Sequence, residues 1–465
     1  MQEQRDLESL DLTRLLRDSG RLCSCGRYHS SHVKEVLIAS GALARVGEVV
    51  RRHGGSKVFI IADKRTFAVA GEQVCTQLAK AQIEYKKHIF QGEELRLDSE
   101  AVGEVILNYD PKCDLILAIG TGTIGDLSKI VASVARKTYV IVATAPSMDG
   151  FASGTSSVIL NRTKASIVTC EPTAVIADLD ILCQAPMELL QAGLGDMIAK
   201  YISICEWRIS QIITGEYYCE EIASLVRRAV RTCANNAEGL RARKPESVEE
   251  VFKSLVFTGV AMSFTGLSRP ASGVEHYFSH LWDMRAIEFG TDAHLHGIQC
   301  GTATLFALRV YGLIQKVVPD RQRALNYAAS FDLDRWNRKL VAFLGKSAQE
   351  VIEAEKRQGK YDQVAHAKRL DAICQNWEQI LAVISEELPK EEELLDVLRK
   401  MDLPLTPQAL GLTPTEVRDT FTMTKDIRDK YVASRLVWDL GVIEEVADDF
   451  LLLAKQGMTS NSECE

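Results

Sequence analysis

The chain has 465 residues, 46% hydrophobic and 25% charged, which is ordinary for a soluble globular protein and enough for two or three packed units. Acidic residues outnumber basic ones 63 to 55, for a formal net charge of −8, and no block of like charge stands out, which argues against nucleic acid as a partner. In chain order, the opening "MQEQRDLESLDLTRLLRDSG" is charged throughout and lacks the apolar core of a signal peptide. No later apolar run approaches the roughly 18 to 20 residues that span a bilayer, so a cytoplasmic protein is expected. Residues 1–30 read as an N-terminal extension. Between 57 and 180, short apolar runs alternate with helical periodicity: "KVFIIAD" (57–63), "DLILAIG" (114–120), "TYVIVATAP" (138–146), "SSVIL" (156–160) and "AVIADLD" (174–180) read as strands. Runs apolar at consecutive positions imply burial on both faces, hence a mostly parallel sheet flanked by helices over 31–185. Beyond Pro186 helical periodicity takes over, and 186–465 reads as an all-helical domain; the Lys- and Glu-rich stretch 345–400 reads as a solvated helical face. The twelve cysteines are scattered, Cys113, Cys170, Cys205 and Cys300 among them, without the spacing of a small disulfide framework, and read as reduced, packed thiols.

Two stretches carry chemistry. In "AIGTGTIGDLSKIVA", Gly120, Gly122 and Gly125 form a G-x-G-x-x-G directly after a strand and before a helix, where backbone N–H groups can approach a phosphate at a helix N-terminus. The usual dinucleotide fingerprint places an acidic residue about 20 positions downstream, ending the next strand. Here that strand ends "VATAPSMDG", and the acidic residue lies upstream as Asp63, placed to accept from an adenosine ribose. The plainer alternative is a tight turn, with Asp63 capping a helix. The second stretch is "SRPASGVEHYFSH", where His276 and His280 are spaced four apart, followed by His294 and His296 in "HLHG". Asp196 in "GLGDMIAKY" reads as a helix start and N-cap, with Lys200 four residues on and on the same face. A carboxylate with two or three histidines suits a divalent ion with positions open to substrate, although 80 residues separate Asp196 from His276. Cys23, Cys25, His29 and His32 look like a small zinc knuckle, but the C-x-C spacing is tighter than the usual C-x2-C.

In order, "GTGTIGDLSK", "TAPSMDGFASGTS", "GLGDMIAK", "SRPASGVEH" and "LHG" resemble the superfamily of metal-dependent polyol dehydrogenases and dehydroquinate synthases, and within it the bacterial sn-glycerol-1-phosphate dehydrogenases. "CSCGRYHSSHVKEVLIASGAL" and "IRDKYVASRLVWDLGVIEEV" extend the resemblance over roughly residues 20 to 445. It implies a dehydroquinate synthase-like fold, an α/β nucleotide-binding domain followed by an all-α domain, and a homodimer. It implies NAD(H) or NADP(H), with NAD favoured because Asp63 would repel a 2′-phosphate, and one divalent ion, Zn, Ni or Fe. The resemblance puts the metal on Asp196, His276 and His296. It puts the dinucleotide on Asp63, Gly120, Gly122, Thr123, Asp126, Lys129, Thr144 and Ser147. Asp149, His280 and Lys200 would act on the substrate, with Lys164 and Arg269 further candidates for its phosphate and His294 a bystander. The implied reaction is reduction of dihydroxyacetone phosphate to sn-glycerol 1-phosphate, a glycerophospholipid precursor. A glycerol dehydrogenase, a dehydroquinate synthase-like cyclase and a metal-free binding protein are the alternatives. Asp196, where dehydroquinate synthases usually carry Glu, favours the dehydrogenase. Thr121 stands where many relatives have a third glycine.

Overall fold

A computed structural model describes Leu12, Leu16 and residues 20–92, 95–160 and 163–456. The charged opening stretch otherwise lies outside the described residues. Two compact units emerge, the first comprising residues 1–160, 164–197 and 220–271, the second 161–163, 198–219 and 272–465. The change from strands to helices near residue 185 does not coincide with this division, because the helical segments 186–197 and 220–271 group with the sheet.

The first unit opens with a ribbon of two short strands, β1 (Arg21–Leu22) and β2 (Tyr28–His29), paired antiparallel. Its core is a six-stranded sheet of β3 (Glu35–Ala39), β4 (Lys57–Asp63), β5 (Glu84–Phe90), β6 (Leu115–Gly120), β7 (Thr138–Ala143) and β10 (Ala174–Asp178). The order is β3-β10-β7-β6-β4-β5, and every pairing is parallel. A separate two-stranded sheet joins β8 (Thr155–Leu160) to β9 (Thr163–Val168), so "SSVIL" is a strand outside the main sheet. The four central strands are the continuous apolar runs seen in the sequence, and β6 is buried at all six positions. The edges differ: β3, "EVLIA", is apolar after its first residue but only half-buried, while β5, "EYKKHIF", exposes its first four residues, and its lysines suit an edge that must not pair with another chain.

From residue 198 on, the regular structure of the second unit's described residues is helical, with long helices Lys200–Thr214, Val274–Phe289 and His296–Ile314. His296–Ile314 corrects one expectation: it is long and apolar enough to cross a membrane, yet 78% of its apolar window is buried, as in a core helix. The stretch 345–400 is also more than a solvated face, since Leu370, Ile373, Ile380, Leu394 and Leu398 are buried. No cysteine among the described residues is in a disulfide.

Candidate active site

The chain passes from β4 to the edge strand β5 and then back across β4 to β6, so the sheet order reverses between β4 and β6. In open parallel sheets the crevice at the carboxyl ends of such strands is where ligands bind. The register puts Ala62 opposite Ile119 and Gly120 opposite Ala143. Asp63, the 120–123 turn and Thr144 therefore leave three adjacent strands at the same edge. Gly120 ends β6, and a Cβ there would lie 2.7 Å from the Ile124 Cβ, so only glycine lets the chain turn this tightly into helix Gly122–Ala135. At Gly122 a Cβ would meet nothing closer than Met148 at 3.5 Å. Exposed Thr123 and Gly122 thus form the first turn of a 14-residue helix pointing at this edge, suited to a pyrophosphate. Asp63 takes the capping role as well: its Oδ1 accepts from the Thr66 N–H at 2.8 Å, closing a capping box.

Two residues expected among the nucleotide contacts do other work. Lys129 is fully buried, and its ammonium pairs with Asp126 at 2.9 Å and donates to the carbonyls of Gly150 and Thr155, both at 2.8 Å, and to Ser153 Oγ at 3.2 Å. The second oxygen of Asp126 accepts from the Ser157 N–H at 2.8 Å. Together they tie loop 149–157 to the helix behind the glycine turn, so their placement is that of positioning residues. The preceding segment, Thr144 to Asp149, is held by shape. A Cβ on Gly193, in helix Met187–Ile198, would come within 1.8 Å of the Pro146 carbonyl, and one on Gly259 within 2.8 Å of the Asp149 carbonyl. These glycines let two helices press directly against the loop backbone. Buried Asp196 then accepts from the Asp149 N–H at 2.9 Å. It sits in the last turn of its helix, not at an N-cap, and Lys200 opens a separate helix, Lys200–Thr214, so no single helix carries the spacing that put the two on one face. Thr144 and Ser147 are buried beside this segment, and Asp149 is half-buried.

In the helical unit, helix Val274–Phe289 starts at Gly273, where a Cβ would lie 2.5 Å from Glu206 Oε2. Glu206 accepts from the Val274 N–H at 2.9 Å, from the Ala433 N–H at 2.7 Å and from the Tyr311 hydroxyl at 3.1 Å, placing a carboxylate at the positive end of the helix. Burial and this carboxylate push the Tyr311 phenol well above its ordinary pKa, so it stays a donor. Glu275, wholly buried, accepts from the Gly273 N–H at 2.7 Å and meets His276 Nδ1 at 2.8 Å. A carboxylate only accepts, so the His276 proton sits on Nδ1 and Nε2 presents its lone pair. His296 is fixed the same way. Ser279 gives its one proton to Gln299 Oε1 at 2.6 Å, so at 2.7 Å it accepts from His296 Nδ1–H. The His276 and His296 rings are 5.1 Å apart, His280 stacks on His296 at 5.6 Å, and Cys300 Sγ lies 3.6 Å from His296 Nε2. Donor atoms of His276, His296 and Cys300 fall within 4.8 Å of one another, as do those of His280, Asp283 and His296. Two imidazoles whose other nitrogens are locked by a carboxylate and a hydroxyl are the donors that a divalent ion of borderline softness takes. This histidine pair fits such an ion.

Glu275, Ser279 and Gln299 were not singled out from the sequence, and Cys300 was read only as a packed thiol; the one signal was a Glu directly before a His, and spacing alone does not distinguish an orienting carboxylate from a surface one. His294 is exposed, Lys200 and Arg269 are buried, and Lys164 is half-buried on β9. Asp196, Asp149, Arg269 and Lys164 belong to the first unit, and Lys200, His276, His280 and His296 to the second.

A family profile described as "Iron-containing alcohol dehydrogenase" matches residues 37–186. Glycerol-1-phosphate dehydrogenase [NAD(P)+] of Halalkalibacterium halodurans is 32% identical over 64% of this chain and 77% of that protein. The Geobacillus stearothermophilus protein of the same name is 29% identical over 85% of this chain and 89% of its own. Among solved structures, a probable glycerol dehydrogenase from Sinorhizobium meliloti 1021 superposes with a TM-score of 0.58 at 13% identity, covering 90% of this chain and 98% of that one, which establishes a shared fold. The parallel sheet, the glycine turn at its edge and the histidine pair are thus found in a chain that belongs to the glycerol-1-phosphate dehydrogenase [NAD(P)+] family of oxidoreductases.

Proposed function

We propose that this chain reduces dihydroxyacetone phosphate to sn-glycerol 1-phosphate, reversibly, with NADH as the preferred reductant and NADPH as the second, in glycerophospholipid precursor synthesis. The observation that carries the reading is the 32% identity to a named glycerol-1-phosphate dehydrogenase, beside the His276 and His296 pair of the helical unit. Asp196, His276 and His296 would hold a divalent ion, Zn, Ni or Fe; such an ion acts as a Lewis acid that polarises the substrate ketone and stabilises charge on its oxygen.

The other roles belong to the chain. Glu275 and Ser279 hold the Nδ1 side of His276 and His296, which leaves Nε2 of each neutral ring as the ligand atom and fixes its direction, so neither ring must turn to meet an ion. The turn from Gly120 to Thr123 would receive the pyrophosphate, and Asp63 the adenosine ribose, where its charge disfavours a 2′-phosphate. Thr144, Ser147 and Asp149 would orient the nicotinamide, the loop beneath them held by Lys129 and Asp126. Asp149 or His280 would pass the proton to the reduced oxygen, and Lys200, with Lys164 and Arg269 as further cations, would receive the substrate phosphate. Cytoplasmic location and a homodimer complete the reading.

The test is NADH oxidation with dihydroxyacetone phosphate before and after chelation, with chiral identification of the product. Formation of sn-glycerol 1-phosphate, lost on chelation and restored by added Zn, Ni or Fe, is expected. Turnover of unphosphorylated dihydroxyacetone in preference to its phosphate, or a product of the opposite configuration, overturns the assignment.

A further inference from the structure

The N-terminal ribbon offers a second set of ligands that the dehydrogenase reaction does not use. Between β1 and β2 the chain makes a tight turn, with the Cys23 N–H bonded to the Arg27 carbonyl at 2.9 Å, the Gly26 N–H to the Cys23 carbonyl at 3.0 Å, and Gly26 at φ +82°. This turn folds Cys23, Cys25 and His29 toward one point: Cys25 Sγ lies 3.3 Å from His29 Nε2, the Cys25 N–H reaches Cys23 Sγ at 3.5 Å, and the three donor atoms are within 4.8 Å of one another. Around a tetrahedral zinc, bonds of about 2.3 Å to sulfur and 2.0 Å to nitrogen separate a sulfur from a nitrogen by about 3.5 Å and two sulfurs by about 3.8 Å. The Cys25–His29 pair is already near that separation, and small side-chain rotations would bring in the Cys23 sulfur.

His29 is buried, at 1% exposure, and its Nδ1 is 2.8 Å from the Phe264 carbonyl. A carbonyl only accepts, so Nδ1 carries the proton and Nε2 turns its lone pair toward Cys25. That is how metal-bound histidines are held, by a backbone carbonyl behind the ring. His32, grouped with these residues by sequence spacing, is excluded: it is exposed, and its N–H is taken by Glu171 at 2.6 Å. Helix Glu220–Asn235 meets the ribbon at its first turn: Glu221 accepts from Cys23 Sγ at 3.2 Å, from the Ser24 N–H at 3.1 Å and from Ser24 Oγ at 2.6 Å, anchoring that end of the helix there.

We propose that Cys23, Cys25 and His29 form a structural zinc site. Its purpose follows from the size of the ribbon. Two strands of two residues each do not hold together alone in water, and a bound structural ion contributes folding free energy directly. The ion fastens the ribbon to helix Pro245–Thr265 through the His29–Phe264 contact, where the rings also stack at 5.9 Å.

Cobalt(II) loaded into the full chain tests this, in a Cys300→Ala background so that the thiol beside His296 cannot contribute. Thiolate-to-cobalt charge-transfer absorption in the near ultraviolet is expected, retained in His276→Ala and lost in Cys25→Ser. Absence of that absorption, or its persistence in Cys25→Ser, overturns the site. Should Cys25→Ser fail to fold, a mercurial titration of the zinc-loaded Cys300→Ala chain decides: release of one zinc per chain supports the proposal and no release refutes it. None of these readouts depends on which ketone the enzyme reduces.

Discussion

The loop at residues 144–157 and the histidine pair of the helical unit are held by opposite means. The first half of the loop is positioned by what is missing: Gly193 and Gly259 remove side chains where two helices meet the backbone of Pro146 and Asp149. The histidines are positioned by what is present, through Glu275, Ser279, Gln299 and the Glu206 carboxylate at the helix start. Shape fixes a backbone, because a clash of hard atoms has no low-energy way out; hydrogen bonds fix a side chain and its protonation state, which shape alone cannot select. A loop backbone that must keep one path needs the first, and an imidazole that must offer one particular nitrogen needs the second.

That contrast sets the size of the effects expected on breaking each. The largest belongs to Gly193→Ala: the added carbon would sit 1.8 Å from a backbone oxygen, which no rotamer change relieves. A loss of at least about 3 kcal/mol is expected in denaturant unfolding. The matched control is Gly103→Ala, a helical glycine with nothing within 4 Å of the new carbon, which should be neutral or stabilise by up to about 1 kcal/mol. Equal effects at the two sites would show that close approach does not hold the loop.

The polar means extends deeper into the helical unit, where it predicts an acid sensitivity. Buried Asp426 pairs with Lys425 at 3.0 Å and Arg435 at 2.9 Å and accepts from Tyr361 and Trp336, both at 2.7 Å. The neighbouring Lys425 and Arg435 charges outweigh burial and hold its carboxyl down to about 2, while burial drives Lys425 down to about 7. A carboxyl whose folded pKa is depressed contributes stability above its unfolded value near 4 and loses it as pH falls toward 2. About 2 kcal/mol should disappear across that window. Unfolding free energies measured from pH 5 down to pH 2 should show the slope, and Asp426→Asn should flatten it; an unchanged slope would remove this pair from the account.

The smallest expected effect sharpens the comparison at the site itself. Glu275→Ala leaves both metal-candidate histidines in place but frees His276 to take the other tautomer. Metal affinity, measured by competition with a chelator, should fall at least about tenfold, or 1.4 kcal/mol. Unchanged affinity would mean that the histidine needs no orienting partner.

Sequence patterning exposed the central strands because each is buried on both faces and therefore apolar at consecutive positions. It missed β5 because "EYKKHIF" carries its lysines where an edge is protected, and it missed β3 although "EVLIA" is apolar after its first residue, since so short a run before a glycine turn does not by itself separate strand from helix. The glycine turn was legible for a related reason: a backbone that must turn tightly into a helix admits one residue type, so Gly120 leaves a mark. The partners of Lys129 were not legible because sequence cannot say which way a long side chain points, and four acceptors fold around its ammonium from loop and helix. Asp196 was given to the wrong end of its helix, since a Gly before an Asp has the look of an N-cap and the helix began nine residues earlier.

What the sequence by itself determined is the chemistry available: a parallel sheet with a glycine turn at its edge, then helices carrying one aspartate and a set of histidines whose order matches a known family. What only the tertiary structure decided is which atoms of those residues are usable. Tautomers, buried ammonium partners and the separation of sulfur from imidazole depend on groups far apart in the chain, Glu221 beside Cys23 or Phe264 behind His29. Local pattern reflects local backbone preference and burial. A ligand set is a convergence in space, and no spacing along the chain encodes it.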